Sequence, residues 1–86
     1  MNQTKQIRDF VISNFMFGDG AGLKDDASLI DRGVVDSTGM LELIMFLEVT
    51  FGLKVEPEEM IPENLDSVNK AAAFVSRKTA PAQVQA

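Results

Sequence analysis

The chain has 86 residues, 45% of them apolar and 24% charged, and its 8 basic against 13 acidic residues give a formal charge of −5. That length makes one small domain, burying only about 60–65% of its unfolded surface, and the anionic balance argues against a cationic stripe for a nucleic-acid backbone. With no cysteine and no histidine, disulfide frameworks, thiolate chemistry and imidazole acid–base catalysis are excluded too.

Residues 4 to 17 read as a first helix, because Ile7, Phe10, Val11 and Phe15 recur at spacings of three and four. Thr4 and Asn2 are its candidate caps, and Gly18 and Gly20 its stop. The sixteen residues "GDGAGLKDDASLIDRG" that follow are long for a helix connection. Leu23, Leu29, Ile30, Val34 and Val35 are expected to staple this loop to the core.

The second helix starts at Asp36 or Ser37. Met40, Leu41, Ile44, Leu47, Val49 and Phe51 carry an apolar stripe, and Gly52 is the C-cap. Leu43, Met45 and Phe46 make this helix apolar nearly all round, so part of it is expected to face a partner. A short helical turn is expected around Glu58–Ile61, bounded by Pro57 and Pro62. A last helix runs from Asp66 to about Lys78, with Asp66 or Ser67 as cap and Val68, Ala71, Ala72 and Val75 as its core face. The expected domain covers residues 1–78, with 79–86 a disordered tail. The amino terminus lacks an apolar leader, and Glu42 and Glu48 break the most apolar run. The expectation is therefore a soluble, cytoplasmic, monomeric protein without membrane or nucleic-acid partners.

Little here can do chemistry unaided. Ser37 has no general base that the sequence can name. The glycines of "GDGAG" follow a helix rather than a strand, which is the wrong setting for a phosphate loop. "DGAGLKDD" lacks the alternating oxygen ligands of a calcium loop, and no metal site is expected. Two readings of Ser37 remain open on physics alone. It is either an ordinary helix cap in an unmodified helical adaptor, or a covalent attachment point served by another enzyme.

The stretch "GVVDSTGMLELIMFLEVTFG" (33–52) resembles the signature of the acyl carrier and peptidyl carrier protein family. Asp36 and Ser37 match the family's Asp-Ser pair, and Leu41, Glu42, Leu43, Ile44, Leu47, Glu48, Phe51 and Gly52 match the helix behind it. The likeness runs from residue 4 to 78. It implies an all-α, small four-helix carrier bundle with a long loop between helices 1 and 2 and a short third helix. By the resemblance, Ser37 carries 4′-phosphopantetheine donated by coenzyme A, and cargo travels on it as a thioester. Asp36 is then read by the phosphopantetheinyl transferase, and Glu42 and Glu48 face client enzymes or, failing that, form a solvated face. Thr38, Met40, Leu41 and Met45 are candidates for apolar contact with partners or the arm, with a core role open for Leu41 and Met45. The implied partners are the transferase, an acyl- or aminoacyl-adenylating ligase and downstream acyl-using enzymes.

Three departures bear on the pathway. Thr38 replaces the usual leucine, Gly39 stands where many fatty-acid carriers have aspartate, and Val49-Thr50 replaces an acidic pair. A less acidic recognition helix points to a stand-alone carrier in a specialised pathway rather than general fatty-acid synthesis.

Overall fold

The computed structural model describes residues 3–16 and 22–79. It is all-α: α1 Gln3–Phe15, α2 Ser37–Phe51, a 3₁₀ turn Pro57–Glu59, the one-turn helix α3 Pro62–Leu65, and α4 Val68–Thr79, with no strand among the described residues. A long loop separates α1 from α2, as expected. The expected stops Gly18 and Gly20, the candidate cap Asn2 and tail residues 80–86 lie outside the described residues. Thr4 sits inside α1 rather than capping it, and Thr79 still belongs to α4.

The core gathers Ile7 and Val11 from α1, Leu43, Ile44 and Leu47 from α2, Leu65 from α3, and Val68, Ala71, Ala72, Phe74 and Val75 from α4. The phase of α2 corrects the expected stripe. Leu43 is fully buried, whereas Leu41 and Val49 are 57% and 82% exposed. A helix apolar on every side gives no periodic contrast from which to choose a buried face. Packing chooses instead: Phe46 stacks on Phe10 of α1, with centroids 4.2 Å apart and planes 15° apart, and Phe51 meets Phe46 edge-on.

Gly39, buried in the first turn of α2, lets α1 come close. A Cβ there would lie 2.9 Å from the Phe15 ring and 3.3 Å from both the Asp36 carboxylate and Val35. Gly39→Asp, which installs the residue many fatty-acid carriers hold at this position, is therefore expected to overpack the joint and set a carboxylate beside Asp36. The expected loss is about 2 kcal/mol, visible as a lower urea midpoint with an unchanged slope.

The long loop is stapled as expected by Leu23, Leu29 and Val35, but Ile30 is not a staple, being 48% exposed. Polar ties do the rest. The Arg8 guanidinium donates to the Leu23 carbonyl and the Asp25 carboxylate, both at 2.9 Å, and the Asp25 carbonyl accepts the Asn69 N–H at the start of α4. Ser67, buried, is the cap of α4, its hydroxyl accepting the Lys70 N–H at 2.9 Å.

The segment between α2 and α4 departs from the single turn expected. Pro57 and Pro62 do not bound one turn but open two, the 3₁₀ turn and α3, with Ile61 extended between them. Proline suits the first position of a helix because its φ is preset and its missing N–H has no partner to lose. The 3₁₀ turn is fastened by Glu59, which accepts the Glu56 N–H at 2.9 Å and the Lys78 ammonium at 2.8 and 3.0 Å. The Lys78 hydrogen bond, helped by the Glu56 N–H, holds the Glu59 carboxyl below the ordinary carboxylate range. A lowered folded value stabilises the fold above the unfolded titration range and ceases to do so as pH falls through the folded value. Lys78→Gln is thus expected to lower the melting temperature slightly at neutral pH, with the difference from the parent vanishing in strong acid.

Candidate functional site

The site grows from the turn that delivers Ser37. Gly33 takes a left-handed φ of 72°, which a side chain would resist. The next two amides, Val34 and Val35, both donate to the Leu29 carbonyl at 2.9 and 3.2 Å, and Val35 is buried. The chain reaches Asp36 in an extended conformation, and there Asp36, not Ser37, caps α2. Its carboxylate accepts the Gly39 N–H and its carbonyl the Met40 N–H, each at 2.8 Å. Ser37 is the first helical residue, exposed, and its hydroxyl has no hydrogen-bond partner among the described residues.

Two consequences follow for Ser37. The cap role that an unmodified adaptor would give it is already filled. The amides of Ser37 and Thr38 likewise have no partner among the described residues, so an anion joined to the Ser37 oxygen would meet free N–H donors and the positive end of α2.

On one side of Ser37 opens a groove of about 540 Å³, walled by Ile30, Val35, Met40, Leu41, Ile44 and Met60. It continues as a recess of about 230 Å³ that shares Ile30, Met40 and Met60 and ends at Ile61, Pro62 and Leu65. Among the described residues, Asp36 is the only charged one lining the groove or its recess. Beside Asp36 lies a smaller, more polar recess with Asn14, Thr38 and Glu42 on its walls.

The predicted site residues divide into three groups. Ser37, Asp36, Thr38, Leu41, Glu42 and Met45 are exposed along the outer face of α2, so the core role left open for Leu41 and Met45 does not hold. Met40 is half-buried in the groove wall. Glu48 is half-buried, its carboxylate accepting the Val55 N–H at 2.9 Å beyond the end of α2. Sequence reasoning missed Val49, which continues the exposed row Leu41, Met45, Val49 at four-residue steps; that spacing was the available signal. It also missed Ile30 as a groove wall and did not see Met60, because folding alone brings those loop residues to α2.

Among the described residues no cluster of three or more histidine, cysteine, aspartate or glutamate side chains could hold a metal, and no helix is long and apolar enough to cross a membrane.

No family model matches the chain. It is 33% identical over 55 residues to a D-alanyl carrier protein of Abiotrophia defectiva, covering 64% of this chain and 70% of the relative. A D-alanyl carrier protein of Lactococcus lactis subsp. cremoris (strain MG1363) is 39% identical over 54 residues, covering 63% and 68%. An acyl carrier protein of Brachyspira hyodysenteriae is 31% identical over 70 residues, covering 81% and 87%.

Proposed function

The chain belongs to the acyl carrier protein family, carriers rather than catalysts, and on that footing we propose that it holds its cargo on 4′-phosphopantetheine joined to Ser37. A general acyl or aminoacyl carrier role comes with the family. Placing the attachment at Ser37 rests chiefly on one observation: Asp36 caps α2 and leaves the exposed Ser37 hydroxyl without a partner among the described residues. The free amides at the helix end fit a phosphodiester there, and the apolar groove alongside fits the uncharged part of an arm or cargo. When bound, the group supplies the thiol that carries an acyl unit as a thioester.

The chain's own part is to present and orient. It lacks histidine and cysteine, so the base that takes the Ser37 proton belongs to the transferase. Asp36 offers that enzyme a carboxylate beside the reacting hydroxyl. Leu41, Met45 and Thr38, with Glu42 at their edge, form the surface that a ligase and later enzymes meet. Residues 1–78 act as one carrier domain, monomeric and cytoplasmic.

The D-alanyl names of two relatives favour an amino acid activated by an adenylating ligase, in a specialised pathway. An apolar acyl cargo is the second reading, favoured by a groove whose walls offer an ammonium no partner but Asp36, one oxygen of which already serves as the cap. Incubation with coenzyme A, magnesium and a broad-specificity phosphopantetheinyl transferase, followed by intact-protein mass, tests the carrier reading: one added phosphopantetheine is expected. Loading the product with D-alanine or octanoate by the matching ligase then separates the two cargo classes.

A further inference from the structure

We propose that Asp66 is the positioning residue of this site, tying the turn that carries Ile30 to the α3–α4 joint and so fixing the groove beside Ser37. The inference rests on the reading of Ser37 as the attachment site.

Asp66 lies between α3 and α4, yet its carboxylate serves neither helix, because Ser67 caps α4. Instead it reaches across to the loop. One oxygen accepts the Ile30 N–H at 2.9 Å, and the other accepts the Ser28 hydroxyl at 2.5 Å. The Ser28 oxygen in turn accepts the Asp31 N–H at 3.0 Å, and the Asp66 carbonyl accepts the Leu29 N–H at 3.0 Å. Three hydrogen bonds thus fix the turn 28–31 to one residue, the fourth closes the turn on itself, and the two to the carboxylate are the stronger kind.

Burial cannot hold Ile30 in place, because it is 48% exposed. The Asp66 ties therefore set the position of this groove wall. Leu65, the residue before Asp66, lines the same recess as Ile30. The same tie reaches Ser37. Leu29, held by Asp66, offers its carbonyl to Val34 and Val35, the two residues that lead into Asp36 and Ser37. Loss of the carboxylate is expected to let the Ile30 wall swing and the groove widen, with the core intact because Leu29 remains fully buried.

The test compares the parent with Asp66→Ala and Asp66→Asn. In the unmodified chain, amide hydrogen exchange at Ile30 and Asp31 is expected to quicken at least about tenfold in Asp66→Ala. Val34 and Val35 should follow more weakly, and Val11 and Val75 should not change. Asp66→Asn keeps an acceptor for Ile30 and is expected to restore most of the protection. Each chain is then loaded with a pantetheine analogue bearing an environment-sensitive fluorophore. The blue shift expected in the parent should be lost in Asp66→Ala and kept in Asp66→Asn. Unchanged exchange at Ile30 and Asp31 overturns the tie. Faster exchange with an equal blue shift in all three chains reduces Asp66 to a structural role and overturns its positioning role. Uniformly faster exchange, Val11 included, does the same. If no chain accepts the analogue, the Ser37 reading fails, and the exchange data still decide whether Asp66 holds the turn.

Discussion

A Ser37→Ala chain is expected to fold like the parent and to take up no phosphopantetheine at all. The two halves of this result have separate causes. Uptake ends because the hydroxyl oxygen that would bond to phosphorus is gone, and Thr38, the adjacent hydroxyl, sits one helical step away from it. Stability holds because Ser37 is not the cap. Asp36 accepts the Gly39 N–H, and alanine is a good residue for a first helical position. The expected change in unfolding free energy is within about 0.5 kcal/mol, the ordinary range for a surface substitution. Were Ser37 the cap of an adaptor helix, the same change would cost about 0.5–2 kcal/mol and leave function otherwise intact. Thermal melts and intact mass on the same samples separate the two.

The second large effect is at Asp36, where two jobs coincide and two substitutions pull them apart. Asp36→Ala removes the cap and is expected to cost about 1 kcal/mol. Asp36→Asn keeps an oxygen for the Gly39 N–H and gives up only the charge at the positive end of α2, about 0.5 kcal/mol. Both lose the carboxylate offered to the transferase, so the initial rate of phosphopantetheine addition is expected to fall at least about tenfold in each. Equal loading of Asp36→Asn and the parent would make Asp36 a cap and nothing more.

The sequence foretold some features of this site and not others, for physical reasons. Cap chemistry is local, so the start of α2 at Asp36 or Ser37 and its stop at Gly52 could be read from residue types alone; Gly52 indeed takes the left-handed conformation, with φ 68°. The amphipathic α4 showed its buried face plainly. The equally apolar α2 did not: its stripe mixes buried Ile44 and Leu47 with exposed Leu41 and Val49, and the packing of Phe46 against Phe10 helps to choose its phase. Glu48 read as a surface charge, since nothing in a linear pattern announces that Val55, seven residues on, turns back to bond it. The groove was least legible. Ile30, Met40 and Met60 come from three separate segments, and Asp66 reads as a helix cap until the loop it holds is folded against it.

The exposed row Leu41, Met45, Val49 also gives weight to the departures from the commoner acidic pattern. With Val49 and Thr50 in place of acidic residues, and the Glu48 carboxylate bonded inside the chain, Glu42 is the carboxylate left at the edge of that face. A partner docking on this surface would meet apolar side chains more than charge, which supports the proposed specialised role.

The most direct measurement is to locate the added group. The chain is treated with the transferase, coenzyme A and magnesium, then cleaved and fragmented in a mass spectrometer. The account predicts one phosphopantetheine, on the Ser37 side chain and no other. The same mass on Thr38, Ser28 or Ser67, or a folded chain that takes up none, would contradict it.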